Sequence, residues 1–190
     1  DGQFSSPDQS STRDRQREAL AAMKVLGVKN AGFLGFADKT RASVEELSAK
    51  ILPVIREIRP DAVFSVDPTL ENECHSDHIK VGWAVRFCVL DADCDFFPDM
   101  PEGKPRDDVW TVPILGQYYT ANPNTVVDIS EYSEKKFAAI SAHASQVSDE
   151  FLALLRQQDA VLAEGTGYAA AERLKLLSGI HMHCFVYPVR

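Results

Sequence analysis

A short apolar run, Ala62-Val63-Phe64-Ser65-Val66, sits between Arg59-Pro60-Asp61 and Asp67-Pro68. It has the length and composition of a buried strand. Past it comes Cys74-His75-Ser76-Asp77-His78, and then Ile79, Trp83 and Phe87 recur at helical spacing to about Leu90. Strand, polar loop and helix in that order put two histidines and an aspartate beyond the carboxyl end of a strand, at the mouth of a helix. Ligands bind there in open α/β sheets, and the free N–H groups of a helix start favour an anion or a carboxylate. Imidazole is the commonest metal ligand, and a nearby carboxylate can orient a ligating ring or tune the water it helps to hold. The same residues also suit a polar loop with two solvated histidines, and the spacing alone does not separate the two readings.

The rest of the chain alternates between helix and strand periods. Residues 1–11 are rich in Ser, Asp and Pro and read as an exposed loop, with Ser11 or Thr12 placed to cap a helix. Leu20, Met23 and Leu26 recur at helical spacing, with Ala19 and Ala22 filling the same side, and Gly27 stops that helix. Ala31 to Phe36 reads as a strand. Ser43-x-x-Glu46 is a capping box, followed by an apolar face at Val44, Leu47, Ile51, Ile55 and Ile58. Pro53 falls inside this helix, where it should kink it, and Arg59-Pro60 ends it.

Asp91 to Asp108 carries Pro98, Pro101, Gly103 and Pro105 and reads as a surface excursion, of the kind that forms a lid or a substrate-side loop. Val109 to Tyr119 and Thr125 to Ile129 are strand-like around an Asn122-Pro123-Asn124 turn. Ser130 is placed to cap a helix reaching about Ala142. Helices are expected again from Glu150 to Leu162 and from Tyr168 to Leu177, and His181 to Val189 reads as a last strand. This alternation predicts an α/β domain with a mainly parallel sheet.

Composition narrows the function classes. A chain of 190 residues is long enough for one sizeable core. No stretch approaches the ~20 apolar residues of a membrane span, and residues 1–11 have no signal-peptide apolar region. A net charge of −8 argues against a nucleic-acid partner, which requires a basic surface. Cys74, Cys88, Cys94 and Cys184 have no C-x-x-C spacing and read as free thiols of a reducing, cytoplasmic protein. His181-Met182-His183 would place two histidines on one strand face, but with no third ligand it reads as structural.

Several segments, taken in order along almost the whole chain, resemble the PIG-L/LmbE-like zinc-dependent de-N-acetylases. They are Asp1-Gly2, Arg15-Gln16-Arg17-Glu18-Ala19, Leu26-Gly27-Val28, Phe33-Leu34-Gly35 with Asp38, and Arg59-Pro60-Asp61. Asp67-Pro68 and His75-Ser76-Asp77-His78 follow, then Val127-Asp128-Ile129-Ser130, Lys135-Lys136 and His143-Ala144-Ser145-Gln146. The resemblance implies a Rossmann-like sheet flanked by helices in a single domain. It also implies hydrolysis of an N-acetyl group from an N-acetylglucosamine-type sugar or related small amide, with Zn²⁺ or another divalent metal as cofactor.

Carried over residue by residue, it makes His78 a metal ligand. His75 becomes the group that stabilises the oxyanion or protonates the leaving amine, with Asp77 holding a neighbour in orientation. Arg15 and Asp38 become substrate-side residues, and His143 and Gln146 are weaker candidates. Taken by themselves, Arg15 could belong to a solvated helix face with Arg13 and Arg17, and Asp38 to an ordinary turn. Ser76 stands where the family has proline and is expected to cap the next helix. The family's His-Pro-Asp-Asp motif, with two further ligands and the general base, does not occur in the sequence. The expectation is therefore an N-terminally incomplete domain lacking the family's first two strands. Its gap would be filled by a retained N-terminal fragment or a separate chain, and a homo-oligomer is compatible with the reading. The alternative function is a non-catalytic sugar-binding or structural relative without a metal site.

Overall fold

The computed structural model describes residues 9–95 and 108–183. In chain order the elements are α1 (Gln9–Leu26), α2 (Val44–Ile58), β1 (Ala62–Val66), α3 (Ser76–Asp91), β2 (Ile114–Tyr118), β3 (Thr125–Asp128), α4 (Ser133–Ser141), α5 (Asp149–Ala163) and β4 (Ala171–Ser178), followed by a 3₁₀ turn at Gly179–Met182. The strands are ordered β1-β2-β4-β3. The first pair is parallel, with Ala62 opposite Ile114 and Val66 opposite Tyr118. The second is antiparallel, with Ile114 opposite Ser178 and Gln117 opposite Lys175. The α/β reading holds, and the sheet is mixed. Packing divides the chain into two units, Asp1–Gly32 with Val126–Glu172, and Phe33–Thr125 with Arg173–Arg190.

In the second unit α2 and α3 pack together, and α3 packs on β1. The core is Ile55, Val85, Cys88, Val89, Ala92, Val112, Leu115 and Leu177, with Ile51, Leu52, Val63, Val81, Trp110 and Met182 around it. The Ser43 capping box forms as expected: Glu46 N–H donates to Ser43 Oγ, and Ser43 N–H donates to the Glu46 carboxylate. Pro53 lies within α2. Arg59 closes the helix in the left-handed region at φ 53°, where its N–H reaches the Ile55 carbonyl. Buried Arg56 donates to the carbonyls of Asp91, Ala92 and Cys94, satisfying acceptors that the end of α3 leaves open.

In the first unit α1 packs on α4. The buried positions of α1 are Glu18 and Ala22, whereas Leu20 and Leu26 are exposed. Of the expected apolar side, Ala22 is therefore the buried member, while Leu20 and Leu26 remain exposed. Phe137 is buried beneath the Arg156 guanidinium, which lies 4.0 Å over its ring.

Several expectations are corrected. Helix α1 already includes Gln9 to Ser11, so these last three residues of the expected loop and the Ser11 or Thr12 cap give way to helix, and residues 1–8 lie outside the described residues. Ala31 to Phe36 is not a strand. Gly32 and Gly35 take φ of 120° and 75°, values foreign to a β ladder, and Phe33 and Leu34 are exposed. Ser130 does not cap α4, whose N-cap is Tyr132. Its hydroxyl donates to Asp128 and accepts from the N–H groups of Ala169 and Ala170, tying the end of β3 to the approach to β4. Tyr168 to Leu177 is not a helix. Despite its Ala, Leu and Lys content it supplies β4, because pairing with β2 outweighs local propensity. His181 and Met182 lie in the 3₁₀ turn rather than a strand. Residues 96–107 of the expected excursion, Cys184 and the remainder of the last expected strand lie outside the described residues.

Candidate active site

The site is built on the loop between β1 and α3. Asp67, 1% exposed, anchors its base. One carboxylate oxygen accepts from the Thr69 N–H and hydroxyl, at 3.0 and 2.6 Å, and the other from the Thr120 hydroxyl at 2.7 Å. Burial pushes the Asp67 pKa up, but these bonds and the Lys175 charge outweigh it and hold the carboxyl below the ordinary aspartate range. The Asp67 N–H also donates to the Tyr118 carbonyl at the end of β2. The loop is thus tied to the carboxyl ends of both parallel strands, and Glu73 N–H to the Leu70 carbonyl adds a further turn.

His75 is itself the N-cap of α3, its Nδ1 accepting from the Asp77 N–H at 3.3 Å. The expected cap, Ser76, is the first helical residue instead. Proline favours that position because its missing N–H is not needed there, so serine for proline leaves the helix start intact. The His75 and His78 rings stack with centroids 4.4 Å apart. Glu73 joins them: one carboxylate oxygen accepts from the His75 N–H at 2.6 Å, and the other lies 2.8 Å from His78 Nδ1. These contacts hold Glu73 below the usual glutamate range, the His75 N–H contributing most.

Asp77 brings a second loop to the helix mouth. Its Oδ2 accepts from the Lys39 N–H at 2.6 Å, and Lys80 Nζ donates to the Thr40 carbonyl at 2.7 Å. Asp38 is thereby carried to His75 and Asp77, and the ligand atoms of the three lie within 4.8 Å of one another. Asp77 Oδ1 is buried and has no hydrogen-bond partner among the described residues. A buried carboxylate oxygen of this kind calls for a cation or a donor from a ligand. An imidazole and carboxylates around it form a donor set that suits a divalent metal.

Arg15 is exposed on α1, in the first unit. One turn on, Glu18 is 7% exposed and accepts from both the N–H and the hydroxyl of Ser145, at 2.9 and 2.8 Å. The final residue of Arg-x-x-Glu therefore grips the His143-Ala144-Ser145-Gln146 turn. The Ser145 N–H, then its hydroxyl and Gln146, with the nearby His143, hold the Glu18 pKa down against burial. Neither Glu18 nor Glu73 was singled out from the sequence. The available signal for Glu73 was an acid five residues before a candidate ligand; for Glu18 it was the pairing of two distant motifs.

The GlcNAc-PI de-N-acetylase (PIG-L) family model matches residues 1–89. The diacetylchitobiose deacetylase of Thermococcus kodakarensis is 31% identical over 178 residues, covering 89% of this chain and 64% of that protein. The 1D-myo-inositol 2-acetamido-2-deoxy-alpha-D-glucopyranoside deacetylase of Streptomyces scabiei is also 31% identical, covering 87% of this chain and 57% of that one. The structure of the Pyrococcus horikoshii N,N'-diacetylchitobiose deacetylase in complex with an inhibitor matches with a TM-score of 0.82 at 27% identity, over 99% of this chain and 74% of that one. The chain spans less than two thirds of the length of these two curated relatives. With the ordered motifs and the site on the β1–α3 loop, these matches identify it as a member of the PIG-L/LmbE-like family. No described helix is long and apolar enough to cross a membrane.

Proposed function

We propose that this chain contributes the His75–His78 side of the active site of a metal-dependent de-N-acetylase acting on N-acetylglucosamine-type sugars. The carrying observation is the stacked histidine pair at the carboxyl end of β1, with the Glu73 carboxylate bridging the His75 backbone N–H and His78 Nδ1, and a buried oxygen on Asp77 that has no partner among the described residues. The named relatives differ in what the sugar is attached to and share the N-acetylglucosamine unit. That unit is the substrate class we assign.

A divalent metal in such a site activates water and polarises the amide carbonyl. His78 is the ligand we assign to this chain. His75 Nδ1 accepts the Asp77 N–H, so its lone pair is committed there and the neutral ring carries its proton on Nε2. That proton is the one His75 presents to the developing oxyanion, or passes to the leaving amine. Asp77 anchors the Asp38 loop through Lys39, and Asp38 is assigned to the sugar's hydroxyl groups. Zinc is the metal we favour. A second reading places the metal among Asp38, His75 and Asp77, on the strength of their proximity and the unpartnered Asp77 Oδ1.

The test is to incubate the whole protein that carries this chain with N-acetylglucosamine glycosides and to measure released acetate and free amine. Metal-dependent release, lost on chelation and restored by Zn²⁺, is expected. A whole protein that binds zinc stoichiometrically but releases no acetate from any such glycoside would refute the activity. One that binds sugar and no metal would favour the non-catalytic reading.

A further inference from the structure

Glu73 stands outside every motif the sequence offers, yet both its carboxylate oxygens are committed to the histidine pair. Its Oε1 accepts from the His75 backbone N–H and its Oε2 lies 2.8 Å from His78 Nδ1. Its side chain is 18% exposed, whereas that of His78 is 55% exposed. An ionised carboxylate only accepts hydrogen bonds. The proton of this contact therefore sits on His78 Nδ1, and the neutral ring has its lone pair on Nε2. His75 is held in the opposite state, with its Nδ1 lone pair taking the Asp77 N–H. One short loop thus gives the two stacked rings opposite Nδ1 partners, a backbone N–H for His75 and a carboxylate for His78.

We infer that Glu73 is a positioning residue that fixes His78 in its Nδ1-protonated form and aims Nε2 outward as a ligand, while its other oxygen fixes the backbone of His75. The inference rests on the reading of His78 as a metal ligand. Histidines that bind metals hand their other ring N–H to a carboxylate or a carbonyl, and losing that partner weakens metal binding about 10–100-fold. Glu73 lies before the helix, so it holds His78 from the loop side. The Glu73 N–H to Leu70 bond keeps its own backbone in place.

The experiment uses the whole protein, freed of metal, with wild type compared to Glu73→Gln, Glu73→Ala and Glu73→Asp. Long-range ¹H–¹⁵N spectra, assigned with His78→Ala, read the His78 tautomer. Competition with a chromogenic chelator reads the Zn²⁺ Kd without recourse to activity. Wild type is expected to hold His78 protonated on Nδ1. Glu73→Gln and Glu73→Ala should give mixed tautomers and a Kd weaker by about 10–100-fold, with Glu73→Asp in between. A wild-type His78 protonated on Nε2, or an unchanged tautomer in Glu73→Ala, overturns the proposal whatever the affinity does. If His78→Ala binds Zn²⁺ as tightly as wild type while the Glu73 variants still shift the tautomer, the ligand reading of His78 falls and the positioning role stands.

Discussion

The His75 and His78 rings lie face to face, 4.4 Å between centroids and 22° between planes, but their Nδ1 atoms meet opposite chemistry. His75 Nδ1 accepts from a backbone N–H, and His78 Nδ1 faces a carboxylate. Removing the two rings should therefore have different consequences. In the whole protein, His78→Ala is expected to abolish stoichiometric metal binding. His75→Ala should retain the metal and lower kcat by about 10²–10⁴-fold, the range for a lost acid–base or oxyanion group. Metal content by plasma mass spectrometry, set beside kcat, checks this. Equal loss of metal in both would defeat the division of roles, and loss in His75→Ala with retention in His78→Ala would favour the Asp38–His75–Asp77 group.

Gly82 decides how closely α3 approaches the end of β1. A Cβ there would lie 2.8 Å from the Val66 carbonyl oxygen and 2.9 Å from Pro68 Cβ. Alanine in mid-helix normally gains up to about 1 kcal/mol over glycine. Here the clash is with backbone and a proline ring, which no rotamer change relieves, so α3 must shift away from the loop that carries the histidines. Overpacking of this kind costs about 1–3 kcal/mol. Gly82→Ala should lower Tm and weaken metal binding together. A raised Tm with normal affinity would mean that the helix–strand spacing is not set by this contact.

The β1–loop–α3 unit was legible because its signals are local: an apolar run, a motif and a helical period sit side by side. The Ser43 capping box was legible for the same reason. What the sequence concealed depends on distant partners. Glu18 reads as one more charge on a polar helix until Ser145 closes on it, 127 residues away. Glu73 lies in a loop, where no periodicity marks a residue as inward-facing. The segment that becomes β4 has a helix former's composition, and only its pairing with β2 turns it into a strand. Asp38 was picked out by resemblance, and what carries it to His75 is the hold of Asp77 and Lys80 on the neighbouring backbone.

Asp67 should make the fold acid-sensitive in a defined window. Its folded pKa lies below the ordinary 3.8, so the carboxylate contributes its full stabilisation above that value. The contribution fades as pH falls through the depressed folded value. Hydrogen bonds to a charged acceptor are worth about 1.5–3 kcal/mol each, and burial of the charge offsets part of their sum. Asp67→Asn is accordingly expected to destabilise by on the order of 2–3 kcal/mol near neutral pH. The gap from wild type should narrow well below pH 3.8. Urea midpoints measured across that range check the sign; a gap that is independent of pH would show that the ionised form contributes nothing.

Lys136 presents the opposite sign in the other unit. Its ammonium lies 2.9 Å from Asp159 Oδ1 and 2.7 Å from Glu172 Oε1, and the Asp159 side chain is 7% exposed. Burial pushes the Lys136 pKa down, but the bonds and charges of Glu172 and Asp159 outweigh it and raise it above the usual 10.5. The stabilisation is therefore complete below that value and is lost as pH climbs through the raised folded pKa. Lys136→Met would strand the Asp159 carboxylate, whose Oδ2 already lacks a hydrogen-bond partner among the described residues. Breaking a buried pair from one side costs about 3–5 kcal/mol, whereas replacing both partners with apolar groups is often close to neutral. The double variant Lys136→Met/Asp159→Leu should thus recover most of the stability that Lys136→Met loses, despite carrying one more change. Glu172, 41% exposed, can turn to water once its partner is gone, so it adds little to the penalty. Chemical denaturation of the wild type and the two variants decides the matter. A double variant no more stable than Lys136→Met would mean that the cost lies in lost packing around Phe137 rather than in an uncompensated buried charge.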